Sequence, residues 1–417
     1  MGENAKKERP VRLPNIFEAV LPILVMMVLM IYGFIGGGDY TDAHMPLVIS
    51  IAVACIIGGI CGHSFSDMLA GMLDRLNATM EAILILCTVG ILVATFIMSG
   101  TIPALIYYGL DLLTPSLFLP VGCLMVSIVS LACGSSWTAT ATIGIAFLGI
   151  GAGLGINPAL TAGMVISGAY VGDKFSPLSD TTNLAAAVAQ TGLFDHVTAM
   201  ISTTAPTFII SLILYTILGL NIDTSNFDAS VATDLQHALA EGFNLNPLVL
   251  LPIAVIIVVC ILKMPGLVGI AISVGVGILC TMVFQGMHSV SDLFNTLHYG
   301  ITLESSNDLA NELLSRGGMD SQMWTINLIL LAVAYGGALE RCGCIETLFG
   351  KLKHKLHSVG SLILATLLTS LFCDATMCDQ FLGIGVPAPL YMDKYDEMGL
   401  GRNMLSRTLE DCGTLWA

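Results

Sequence analysis

Charge is what this chain has least of. Aspartate, glutamate, lysine and arginine together make up 11% of its 417 residues, where a soluble domain carries about 25%. So few charges cannot cover a solvated surface, which argues against an ordinary soluble domain. Lysine and arginine number 15 against 30 acids, a net charge of −15, so nucleic-acid binding finds no support. A Walker phosphate loop, a dinucleotide fingerprint and a nucleophile elbow are also missing, which leaves an ATP-driven pump or a membrane hydrolase without support. The 12 cysteines include no Cys-x-x-Cys pair, and Cys342-Gly343-Cys344 is too tight for a usual zinc knuckle. Scattered through apolar sequence, they read as soft packing residues, as do the methionines.

What is present is apolar. Such residues make up 55% of the chain, and the mean hydropathy is +0.86. Uncharged windows recur at Leu117–Cys133, Thr138–Gly172, Val197–Leu220, Pro247–Leu262, Pro265–Phe284 and Trp324–Leu339. Each is near or beyond the ~17–20 residues that a bilayer-spanning helix needs. About ten to twelve hydrophobic segments of this kind are too many for a signal peptide plus a soluble domain. The expected fold is all-α: a polytopic transmembrane helix bundle in contact with the lipid bilayer.

An internal repeat organises it. Met45–Val53 followed by His63-Ser64-Phe65-Ser66-Asp67 resembles Met264–Ala271 followed by His288-Ser289-Val290-Ser291-Asp292. Thr161–Pro177 aligns loosely with Asn403–Ala417, which sets Gly172-Asp173 opposite Glu410-Asp411. His63 and His288 precede helix starts and read as cap or loop residues. Loop charges change sign between the repeats. The N-terminus carries Lys6, Lys7, Arg9 and Arg12, whereas 221–246 has no lysine or arginine; the loop 100–116 has none either, and its counterpart holds Lys351, Lys353 and Lys355. By the positive-inside rule the halves have opposite orientation, the inverted-topology repeat of secondary transporters. The expected organisation is a cytoplasmic segment at 1–15, a first repeat at 16–220, an extracytoplasmic linker at 221–246 and a second repeat at 247–417. The second repeat stops soon after Asp411, so it is expected to be truncated. The expected location is a bacterial inner membrane with the N-terminus cytoplasmic.

Four polar breaks interrupt the apolar sequence. Cys133–Thr142 holds Ser135, Ser136 and Thr138 beside glycine, residue types that suit the tip of a re-entrant hairpin or a small-residue packing face. Gly172–Asn183 holds Asp173, Lys174, Ser176, Asp180, Thr181 and Asn183 around a proline, and reads as a broken helix lining a site or as a solvent loop. Cys373–Gln380 holds Asp374, Thr376 and Asp379, and Glu410–Thr414 holds Glu410, Asp411 and Thr414 beside a glycine. Sodium is a hard cation that takes oxygen ligands. Asp173, Ser136, Thr138, Asn183 and Asp411 are therefore the sodium candidates. A carboxylate is costly to bury bare, so it tends to carry a cation or a proton, and Lys174 offsets part of that cost.

Gly134–Thr140 and Gly168–Asn183 closely resemble signature stretches of the NhaC-type sodium/proton antiporters, and Ser406–Thr414 resembles a later one. The resemblance runs from about Met45 to the end of the chain. It implies paired re-entrant hairpins with tips at Ser135–Thr138 and Asp374–Asp379, and interrupted helices at Asp173–Asn183 and Glu410–Thr414. It also implies exchange of sodium for protons, with no catalytic residues and no cofactor beyond sodium as the transported or coupling ion. Because that family includes a malate/lactate exchanger, exchange of a small carboxylate or amino acid is the alternative on the same fold. A channel would call for pore rings from a symmetric oligomer, whereas these breaks pair within one chain. A homo-oligomer remains compatible with either transport reading.

Overall fold

The structure, a computed structural model, describes residues 11–35, 42–177, 179–222, 229–262, 264, 266–350, 356–377 and 380–414. The basic N-terminal residues Lys6, Lys7 and Arg9, the lysines at 351–355 and Asp379 lie outside them. Among the described residues every regular element is helical. Two compact units emerge, one from Met1–Ile83, Leu184–Gly192 and Trp324–Ala417, the other from Leu84–Asn183 and Leu193–Met323. Each takes helices from both sequence halves, so packing and sequence repeat divide the chain differently.

Five described helices are long and apolar enough to cross a membrane, and two strongly bent pairs raise the number to seven. Three shorter apolar helices, His44–Ile60, Pro115–Leu131 and Val359–Ala375, accompany them. Leu193–Leu220 shows what they face: Ile201, Ile209, Ile213, Leu214 and Ile217 all point outward. Water would not tolerate such a surface, and lipid does.

In the second unit, Phe96, Ile102, Phe118, Phe147 and Met164 form part of one buried cluster. The Thr138–Gly172 window is not one span. It divides into Ser136–Gly153 and Pro158–Phe175, separated by Gly155 in the left-handed region (φ 68°). Asn157 caps the second helix by accepting the Ala159 N–H at 2.9 Å, and Pro158 follows at the position where a missing N–H costs nothing.

Two other breaks share one solution. Ile83–Met98 meets Thr101–Leu112 at 62°, and Ser230–Gly242 meets Pro247–Val259 at 94°. Gln285 serves both: its Nε2 donates to the Ser99 and Asn244 carbonyls at 3.0 Å, and its Oε1 accepts the Asn244 N–H at 3.0 Å. Backbone freed from helical pairing in an apolar surrounding needs such a partner. The Ala229–Gly242 helix lies inside the segment read from sequence as a linker, with Leu235, Ala238 and Leu239 buried on one face.

In the first unit, Ile16–Ile35 packs on His44–Ile60, and Arg12 pairs with Glu18 through both guanidinium arms at 2.8 Å. Both repeated Ser-x-Ser-Asp motifs start helices. Ser64 Oγ accepts the Asp67 N–H at 3.1 Å and donates to the Asp67 carboxylate, which holds that acid below the usual carboxylate range. In the second unit Ser289 accepts the Asp292 N–H at 3.3 Å. The caps are the serines, and His63 and His288, read from sequence as cap or loop residues, lie in the loops just before them.

A close helix crossing in the second unit joins Pro115–Cys133 to Pro158–Phe175. A Cβ at Gly172 would stand 2.2 Å from the Ser127 carbonyl oxygen, and one at Gly168 2.5 Å from that of Cys123. Small residues permit this backbone approach. Gly172→Ala should therefore destabilise the protein by about 1–3 kcal/mol. Gly275→Ala, whose Cβ would meet nothing within 4 Å, should be neutral or stabilising by up to about 1 kcal/mol. Thermal unfolding of the purified variants measures both; equal midpoints would contradict the tight crossing.

Candidate functional site

The hairpin begins where Pro115–Cys133 ends at Gly134, which takes a left-handed conformation (φ 64°). Ser135 turns extended and caps the new helix, its Oγ accepting the Thr138 N–H at 3.3 Å and the Thr138 hydroxyl at 3.2 Å. Ser136 and Thr138 are buried at the start of Ser136–Gly153. Thr140–Gly144 then widens into a π-helical turn, where the Thr142 hydroxyl bonds back to the Thr138 carbonyl at 2.7 Å. Single turns of this kind often mark functional positions.

Asp173 meets this helix start. It sits in the last turn of Pro158–Phe175, buried at 8% exposure, and its carboxylate accepts from the Ser136 N–H, the Ser136 hydroxyl and the Ser179 hydroxyl. A helix N-terminus is where orphan N–H groups and the helix dipole favour an anion. Asp173 Oδ1 has no hydrogen-bond partner among the described residues. Lys174 is also buried and lies close enough to act electrostatically on both Asp173 and His196, a buried histidine on Leu193–Leu220.

The chain leaves the helix at Ser176, whose N–H stays bonded to the Asp173 carbonyl at 2.9 Å. Ser176, Ser179, Thr181 and Thr182 are all buried, and the Ser179 and Thr181 hydroxyls are 3.1 Å apart. Asp180 and Asn183 are exposed. The Asn183 amide donates to the Pro177 and Ser179 carbonyls at 3.0 and 2.8 Å, fixing the turn. Ser136, Asp173 and Lys174 thus come together, Thr138 stands one cap away through Ser135, and Asp180 and Asn183 face outward.

The later breaks lie in the first unit. Asp374 is buried at the end of Val359–Met377, with its carboxylate against Gly383, and Gly413 packs on the same glycine. Asp374 and the end of Arg402–Gly413 therefore converge there. Glu410 is fully buried, Asp411 half-buried, and the Thr414 hydroxyl bonds to the Glu410 carbonyl at 2.8 Å. Thr376 lies in the final turn of the Val359–Met377 helix, and Asp379 falls outside the described residues.

Among the described residues, no cluster of three or more His, Cys, Asp or Glu side chains could hold a metal ion. A cation at Asp173 would draw on the free carboxylate oxygen and on hydroxyl lone pairs of Ser136 and Ser179, which can turn from donor to ligand. Such an oxygen set suits a hard monovalent ion or a proton. Ser179 and His196 were not among the residues singled out from sequence. Ser179 lies within the polar loop itself, whereas His196 carries no motif and only its burial distinguishes it.

The known proteins that this chain resembles are antiporters. A sequence profile described as the Na+/H+ antiporter family matches residues 168–417. The chain is 37% identical over 374 residues to the Na(+)/H(+) antiporter NhaC of Alkalihalophilus pseudofirmus, covering 90% of this chain and 80% of that protein. It is 33% identical to the malate-2H(+)/Na(+)-lactate antiporter of Bacillus subtilis, over 98% of this chain and 86% of that one. With the arginine/ornithine antiporter ArcD of Halobacterium salinarum it shares 36% identity, over 97% and 84%.

The Ser136–Asp173 contact yields a stability prediction. Ser136→Ala removes one of the donors to a buried carboxylate and should cost about 1.5–3 kcal/mol if Asp173 is ionised. Ser66→Ala, at an exposed position, should stay within about 0.5 kcal/mol of the parent. Chemical or thermal unfolding in one detergent compares them, and equal stability of the two variants would refute the contact.

Proposed function

Because the chain belongs to the Na+/H+ antiporter family, we propose that it exchanges sodium ions for protons, with Asp173 as the group the two cations share. The chain is a multi-pass membrane protein. In this reading it lies in a bacterial inner membrane with its N-terminus cytoplasmic, and two inverted repeats alternate access to the site. The observation that carries the reading is Asp173 itself: buried, gripped by a helix start and two hydroxyls, with Oδ1 open.

Coupling follows from the cost of a bare buried anion. The loaded carboxylate holds either sodium or a proton, so a change of access with neither bound is disfavoured. One cation then leaves for each that enters, which is exchange. Lys174 limits the cost while the site is between occupants, and Ser136 and Ser179 supply oxygen in the sodium state and hydrogen bonds in the empty one. Asp374, Glu410 and Asp411 form the candidate partner site in the other repeat. No covalent chemistry is required.

A second reading has its own support. The relatives include a malate/lactate and an arginine/ornithine antiporter, and a buried lysine at a helix break suits an organic anion. On this reading the same cation site drives exchange of a small carboxylate or amino acid.

In proteoliposomes carrying a pH-sensitive dye, an imposed sodium gradient should move protons, and apparent sodium affinity should weaken as pH falls because protons compete for the carboxylate. Asp173→Asn keeps the shape, removes the titratable charge and should abolish the exchange. Asp411→Asn, run alongside, tests whether the matching position in the other repeat carries the proton instead. Wild-type rates and pH dependence in Asp173→Asn would reject Asp173 as the carrier.

A further inference from the structure

The second unit also holds a cavity of about 360 Å³ that the cation site does not use. One wall is a face of Ser136–Gly153 bearing Trp137 and Thr140, next to the face whose Ser136 bonds to Asp173. Val89 and Val93 of the Phe65–Met98 helix form a second, and Arg316 with Gln322 a third. Trp137 keeps 47% of its surface exposed.

Arg316 is the unusual group. It is half-buried, and a guanidinium N–H donates to the Glu312 carbonyl at 3.0 Å. Among the described residues no carboxylate forms an ion pair with it. Burial pulls its pKa below the usual arginine value, with Glu312 opposing.

The backbone that carries Arg316 is clamped. Gly317 and Gly318 both adopt the left-handed region (φ 86° and 83°), and the Gly318 N–H donates to the Gly90 carbonyl at 2.8 Å. A Cβ on Gly317 would stand 2.6 Å from the Ala94 nitrogen, and the Arg316 carbonyl accepts the Ile301 N–H at 3.2 Å. Two consecutive left-handed glycines against a helix backbone fix where the guanidinium emerges.

The geometry points to a binding site for a small organic carboxylate, held by the Arg316 guanidinium with its hydrocarbon part against Trp137, Val89 and Val93. A guanidinium presents a planar fork that matches a carboxylate with two parallel hydrogen bonds. An aromatic ring and two valines receive the apolar remainder, and Thr140 offers a hydroxyl for a substituent. The volume is at the small end for ligand pockets, which suits a solute of few carbons. This inference rests on the transport reading and specifies its solute side. Because Trp137 follows Ser136 in one helix, a solute against the ring bears on the same element that donates to Asp173.

Isothermal titration of the purified protein with sodium lactate, sodium malate and L-arginine hydrochloride tests it, with sodium chloride and sodium phosphate as controls. At least one carboxylate should bind saturably above chloride. Arg316→Gln should weaken that binding at least about tenfold, and Arg316→Lys, which keeps the charge and loses the fork, should weaken it less. Trp137→Ala should also weaken it, and keeps the test open if Arg316→Gln fails to fold. No saturable carboxylate binding, unchanged binding in both Arg316→Gln and Trp137→Ala, or tighter binding of phosphate than of every carboxylate would each overturn the proposal. Sodium-driven proton movement, measured on the same wild-type preparation, separates the two readings. Its absence with carboxylate binding intact sinks sodium/proton exchange alone, and its presence without carboxylate binding sinks the solute site alone.

Discussion

A carboxylate among apolar helices must always be answered by something, and the second unit is arranged around answering Asp173. The start of the hairpin helix answers it with a backbone N–H and a hydroxyl, the loop with Ser179, and the next residue with a buried ammonium. Each answer has a structural precondition. The hairpin helix can begin there because Gly134 reverses the chain and Ser135 caps it. Asp173 can reach it because Gly168 and Gly172 let its helix press against the backbone of Pro115–Cys133, and because Ser130 donates across that crossing to the Ala169 carbonyl.

Much of this was legible in the sequence, for physical reasons. Proline, glycine and charge in apolar surroundings are expensive, so the Asp173 loop and the Ser135 break stand out in the sequence alone. The Ser-x-Ser-Asp pairs declared their helix starts through residue type and spacing, although the caps proved to be the serines and not the histidines before them. Other features left weaker traces. The turn at Gly155–Pro158 carries an Asn-Pro start signal, yet the uncharged run around it masks the division into two helices. Ala229–Gly242 shows apolar residues at helical spacing, with Leu235, Ala238 and Leu239 as its buried face, but its acids read as a solvent linker.

Long-range geometry left no trace at all. Whether a glycine serves close packing or a turn depends on the helix opposite, so Gly172 gave no warning of the Ser127 carbonyl. Arg316 looks like any loop arginine until Gly317 and Gly318 are seen clamped to Gly90 and Ala94. Asp180 and Asn183 show the reverse. Both belong to the polar loop by composition, yet helix phase turns them outward, and Asn183 spends its amide on the carbonyls of its own turn.

The relatives that this chain resembles at 33–37% identity include proteins named for ion exchange and for organic solute exchange. On the proposals made above, one helix carries the cation site on one face and the Arg316 cavity on another, so both chemistries fit one fold. Competition at Asp173 is the claim on which the rest stands, and proton counting measures it without a membrane. Adding sodium chloride to the purified protein in unbuffered detergent solution should release protons saturably, approaching about one per chain where the site starts protonated, while choline chloride releases none. Saturable sodium binding with no proton release at any starting pH would contradict the account.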